Sequence, residues 1–360
     1  MAKIRKIFHI KAILVLAAIA KPKIIFLVGK KVCASTKKTK VLPFSHVFSS
    51  IIKMVINNYQ AFIKFEELFS PEIQSELQQL IWKTPVEKRD IVWSKKNIPY
   101  KEIERTFIDV VIQRNTFAQS KGYDSYLSFK IDQLKIPKSE VERFFNNIDL
   151  SINACNKILK NIKPKSSDFY SEFGNHCYIC EIKDFPFKSE EDAVKSFGND
   201  YSKISIKKDD MSFLSNNGSN SVIHINESLN IRHKTLDLIH EIIHAETKQP
   251  GQNKYVSERN VLVDELKFYK EHYPNVYIAL FGELLKVFHR VLFEIELYNN
   301  PNQNLAKLYA KIFNRCFGGN FQKQNRTYLL DTLIVRYPFQ NLPHALAQVN
   351  LLASDSYKHE

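Results

Sequence analysis

His240-Glu241-Ile242-Ile243-His244 is the part of this 360-residue chain whose residue types and spacing could do chemistry. Residues four apart share one face of a helix, so two imidazoles at that spacing can reach a single ion. Glu241, one step round the helix, would then address a water held by that ion. Zinc suits such a site: two neutral imidazole nitrogens, a third protein ligand and one position left for water. The expected chemistry is hydrolysis, with Glu241 taking a proton from the water and passing it to a leaving amine. The third ligand must come from downstream. Gln249-Pro250-Gly251 offers no imidazole to continue the motif, so a carboxylate is expected. Glu258 and Glu265 lie on the predicted helix Val256–Tyr269 at a spacing that puts both on one face. Glu258 is the expected ligand; Glu265 is the alternative ligand or a group that orients one. Glu246 stands too near the motif to fold back, and His224 and His233, with no motif spacing to it, are expected to face solvent.

The elements that must position these groups can be read from periodicity. Helices are predicted over Ser49–Phe69, from Ser70-Pro71-Glu72 onward, over Ile103–Phe129 and over Lys138–Asn161. The texture then changes: Tyr178–Ile182, Lys203–Lys207 and Val222–Ile225 alternate as strands do, with Ser215–Ser221 as a polar loop. From Leu236 onward the pattern is helical again, with breaks at Pro250-Gly251, Tyr273-Pro274, Asn299–Asn304, Gly318-Gly319 and Pro338. The fold class expected is mainly α, a helical zincin-type metallopeptidase domain with a small β-sheet preceding the zinc-binding helix.

Bulk composition narrows the partners. Of the 52 Lys and Arg, 12 lie in residues 1–60, which contain no Asp or Glu; that leaves 40 against all 38 acidic side chains in the rest. The body is thus near neutral, and no nucleic-acid partner is expected despite the formal charge of +14. Two domains are expected: a basic, apolar leader over residues 1–57 and a catalytic domain over 58–360. In the leader, Ala12–Ala20 is an apolar run after a basic start and ends in a small-x-small triplet. Signal peptide, membrane-surface segment and poorly ordered extension are the three readings it allows. Five cysteines, an odd number, fit free thiols and a cytoplasmic location; secretion or membrane association through residues 1–32 is the alternative. His176-Cys177 and Cys180 lack a second ligand pair and read as ordinary thiols.

Four segments together resemble the oligoendopeptidase F and thimet oligopeptidase family of zinc peptidases, over about Lys101 to Ser356. Arg114-Asn115-Thr116-Phe117-Ala118 with Gly122-Tyr123-Asp124-Ser125-Tyr126 is similar to the family's "R-N-x-x-A…G-Y-x-x-Y" helix. Ser221–Glu227 and His240–His244 resemble its strand and zinc helix, and Glu258 with Glu265 its glutamate pair. The segment from Tyr337 to Gln348 resembles its "P-F-Y-Y-x-x-Y-A-L-A-Q" signature. The sequence departs from the family with Ile243 where a glycine is usual and with a shorter stretch from His244 to Glu258. Two carbonyl-polarising tyrosines are replaced by Gln340 and His344, and most of the N-terminal lobe has no counterpart. The resemblance implies a zinc endopeptidase acting on short peptides, with one Zn²⁺ on His240, His244 and Glu258 and Glu241 as general base. His344 would serve on the oxyanion side and Tyr337 at the substrate. It also implies a peptide running antiparallel to Val222–Ile225, taken as an exposed edge. The alternative is a catalytically impaired zinc- or peptide-binding relative, tethered to an acidic membrane surface by the leader.

Overall fold

The computed structural model describes residues 60–82, 99–160, 178–197, 204–209, 212–217, 220–227, 229–247, 252–318 and 327–353. These all fall in one compact unit, Asn58–Glu360. The expectations for the leader and for Cys177 lie outside the described residues. After a helical stretch at 60–68 come α1 (Pro71–Trp82), α2 (Tyr100–Ser120), α3 (Tyr126–Gln133), α4 (Lys138–Leu159) and α5 (Glu190–Ser196). A three-stranded sheet follows: β1 (Ile204–Asp209), β2 (Phe213–Asn217) and β3 (Asn220–Asn226). Then come α6 (Ile231–Thr247), α7 (Lys254–His272), α8 (Pro274–Asn299), α9 (Leu305–Phe317), α10 (Thr332–Val335) and α11 (Leu342–Ala353). The protein is mainly helical with one small sheet, and no helix among the described residues is long and apolar enough to cross a membrane.

Three local expectations are corrected. The single helix over Ile103–Phe129 is two, because Gly122 takes a left-handed φ of 87° and Ser125 caps the second through the Ser128 N–H. Tyr178–Ile182 is not a strand; Tyr178–Glu181 forms a 3₁₀ turn. The carbonyls of Ile179 and Ile182 accept from the Arg232 guanidinium at 2.7 Å each, so they are spent on a side chain instead of a ladder. The supposed loop Ser215–Ser221 contains most of β2, whose polar residues hide its period. β2 pairs with β3 from Phe213 opposite His224 to Asn217 opposite Asn220.

The sheet order is β1-β3-β2, with β1 parallel and β2 antiparallel to β3. Val222–Ile225 is therefore the central strand, not an edge, because both its sides already carry backbone hydrogen bonds. His224 ties the three strands together. Its Nδ1 meets Asp209 at 2.8 Å and its Nε2 meets the Ser215 hydroxyl at 3.0 Å, while the ring stacks on Phe213.

α8 is the axis of the core, buried along most of its length and packed against α4, α7, α9 and α11. Its C-terminal half sets the turn that leads into α11. Arg114 on α2 donates to the Val335 carbonyl at 3.2 Å and to the Tyr298 hydroxyl at 3.0 Å, and Asn115 donates to the Tyr298 carbonyl at 2.8 Å. Phe339, fully buried between Tyr126 and Tyr298, takes a left-handed φ of 61°. That costly conformation is held by its N–H donating to the buried Glu294 carboxyl at 3.0 Å. The Arg114-Asn115 segment and Phe339 are thus structural devices that aim α11, and with it His344.

His289 on α8 gives the core a pH dependence. Its imidazole packs edge-on against Tyr309 and Phe313, and burial pushes its pKa down from 6.5 to about 4. The folded state refuses a proton that the unfolded chain accepts. This contribution is whole above about pH 6.5 and is lost as pH falls to about 4, a window worth roughly 3 kcal/mol. Thermal melting between pH 7 and 4 should show a shallower decline for His289→Leu than for the parent; parallel declines would show that the imidazole is not titrating on unfolding.

Candidate metal centre

α6 buries Leu236, Leu238, Ile239, Ile242 and Ile243. That leaves His233, Asp237, His240 and His244, at steps of four, three and four, along a single stripe. Asn230 starts the helix, its side-chain oxygen accepting the His233 N–H at 3.1 Å. α7 packs against α6 and begins where the Asn253 side chain accepts from Val256 N at 2.9 Å. Its buried face carries Glu258 and Glu265 among Tyr255, Leu262 and Leu266. Two carboxylates on a buried face need partners, and the α6 stripe supplies them.

The two glutamates meet different atoms. Glu258 Oε2 lies 3.5 Å from His240 Nε2 and 3.3 Å from His244 Nε2. Glu265 Oε2 accepts from the other nitrogen of His240, Nδ1, at 3.0 Å. The Ser257 hydroxyl lies 3.2 Å from His244 Nδ1. Both Nδ1 atoms have partners on the outer side, so both Nε2 atoms are turned toward the Glu258 carboxylate. His344, reached from α11, places its Nδ1 3.0 Å from the same Glu258 oxygen and its ring 5.1 Å from that of His240.

The charges agree with this geometry. Burial works against ionised Glu258, yet hydrogen bonds from His240, His244 and His344 hold its pKa well below the carboxylate range. Burial likewise works against a charged His240, and Glu265 and Glu258 overcome it and raise its pKa. Glu241 is buried beside the cluster, where desolvation raises its pKa against the pull of His240 and His244.

His240, His244 and Glu258 form a group that could hold a metal ion, with one ligand atom from each within 4.8 Å of the others. The donor chemistry fits: ligands around a tetrahedral zinc at about 2.0–2.1 Å stand roughly 3.3–3.4 Å apart. Two of the three separations, from Glu258 to each Nε2, lie close to that value, while the three ligand atoms together fall within 4.8 Å. Of the residues expected from sequence, Glu265 and His344 sit against this group and Glu241 is buried beside it. Tyr337 is instead 43% exposed in the turn before α11 and is not among the side chains packed on the triad.

His233 is not at the solvent. It lies seven residues before His240, with its Nδ1 on Asn230 at 3.0 Å and burial lowering its pKa. Sequence reasoning also passed over Ser257, Asp237 and Gln348, although the helical stripe marks Asp237 plainly. Asp237, hydrogen-bonded to Ser212, is pushed up to about 6 by burial.

No family model, curated protein or solved structure matches this chain. What fold and site define is a mainly helical protein whose central helices bring two imidazoles and a carboxylate to one point.

Proposed function

We propose that this chain is a zincin-type endopeptidase, similar to the oligoendopeptidase F and thimet oligopeptidase family, that hydrolyses short peptides with one zinc ion on His240, His244 and Glu258. The observation that supports this most is the division of labour between the two glutamates. One faces both Nε2 atoms, while the other holds His240 from behind in the carboxylate–histidine arrangement typical of metal ligands. Zinc in such a site supplies a Lewis acid that polarises the scissile carbonyl and makes water a stronger acid. Glu241 takes the proton of the attacking water and returns it to the departing amine. His344, with Nδ1 on Glu258, would donate from Nε2 to the carbonyl oxygen as the imidazolium, the form in which both ring nitrogens carry a proton. Tyr337, exposed in the turn before α11, would contact the substrate. A peptide adds to the sheet at β2, which among the described residues pairs on one side only and packs on α6.

The test joins metal analysis of the purified protein to a quenched-fluorescence peptide assay with and without chelator. Near-stoichiometric zinc and hydrolysis that stops on chelation are expected. Zinc without hydrolysis would leave a zinc- or peptide-binding protein, and no retained zinc would sink the reading.

A further inference from the structure

A cavity of about 170 Å³ opens between α6, α7, α8 and α11, bounded on one side by His240 and His344. It is room for several waters or one long side chain. Its wall is apolar, with five leucines, among them Leu262 on α7 and Leu280 on α8. Asp237, Glu265 and Glu283 contribute carboxylates, beside the imidazoles of His233, His240 and His344. Glu283 is an ion; burial alone would raise its pKa, but Lys286 at 2.9 Å and His233 hold it below the usual range. Gln348, 1% exposed, lines the same cavity, and its side-chain oxygen has no hydrogen-bond partner. A buried acceptor without a donor costs free energy that an incoming N–H would recover. Three carboxylates, the unpartnered Gln348 oxygen and an alkyl-lined wall together favour a ligand with an apolar stem and a positively charged, hydrogen-bond-donating head. Lysine and arginine side chains are that ligand: neither head accepts a hydrogen bond, and both stems bury along leucine.

We infer that this cavity is a specificity pocket that receives the Lys or Arg side chain of a peptide lying across the His240–His244–Glu258 site. The inference rests on the peptidase reading in taking the ligand to be a peptide, but its test is one of binding and does not need turnover. Free α-amino groups carry the same ammonium chemistry without the alkyl stem, so every probe is N-acetylated and C-amidated to remove them.

Fluorescence anisotropy with zinc-loaded Glu241→Gln protein would compare peptides differing at one residue: lysine, arginine, or norleucine, which keeps the stem and lacks the ammonium. The lysine or arginine peptide should bind at least about tenfold tighter than the norleucine peptide. Glu283→Gln and, separately, Gln348→Leu should bring that ratio to within about twofold, with zinc content and thermal melting reported alongside to show a folded, loaded protein. If the parent cleaves no peptide but the lysine preference in binding persists, the pocket stands and the enzyme reading falls. Equal affinity for lysine and norleucine peptides, tighter binding of norleucine, or no binding of either overturns the pocket whatever the cleavage assay shows. A preference that survives both substitutions overturns it as well.

Discussion

Replacing Glu241 with glutamine is expected to leave zinc near one ion per chain while hydrolysis of short peptides falls by two to four orders of magnitude, the usual contribution of a positioned general base, about 10²–10⁴-fold. The expectation follows from where the side chain is. Glu241 is buried beside the cluster but is not one of the three residues whose ligand atoms converge. Glutamine keeps its shape and its neighbours and removes only the ability to accept and return a proton. Metal analysis and kcat on the same preparation separate the two roles. His240→Ala should lose both metal and activity, since it removes a nitrogen that faces Glu258 at 3.5 Å. If Glu241→Gln stripped the zinc, the assignment of base and ligand would have to be exchanged.

The second large effect distinguishes Glu258 from Glu265. Glu258→Ala should abolish stoichiometric zinc binding, because it removes a ligand. Glu265→Ala should weaken zinc by about 10–100-fold, the usual cost of removing a group that orients one. Glu258 faces two Nε2 atoms at 3.3 and 3.5 Å, whereas Glu265 touches only the outward Nδ1 of His240, at 3.0 Å. Competition against a chelator of known affinity would rank the two variants. Glu258→Gln, which retains volume and hydrogen bonding, guards against mistaking a packing defect for a lost ligand. The reverse order of affinities would move the ligand two helical turns along α7.

Much of this site was legible in the order of residues. The stripe on α6 follows from 3.6 residues per turn, and so does the shared face of Glu258 and Glu265. Breaking signals placed the boundary between α7 and α8 closely, at Tyr273-Pro274, and the end of α8 at Asn299. These are local properties: they depend on a residue and its neighbours within a turn or two. Strand assignment failed where the local pattern was ambiguous. Tyr178–Ile182 alternates like a strand, yet the carbonyls of Ile179 and Ile182 are taken by Arg232, which is distant in sequence. β2 has few apolar residues, and only its partner β3 makes it a strand.

The sequence by itself determined that two imidazoles and a glutamate share one turn of helix, and that a second helix would offer two carboxylates on one face. Only the tertiary structure decided which carboxylate meets which nitrogen, that His344 arrives against Glu258, and that Val222–Ile225 lies inside its sheet. Periodicity fixes the direction of a side chain about its own axis. The angle and offset at which two helices pack depend on every buried side chain between them, and here also on a strained turn at Phe339 anchored by Glu294 on α8.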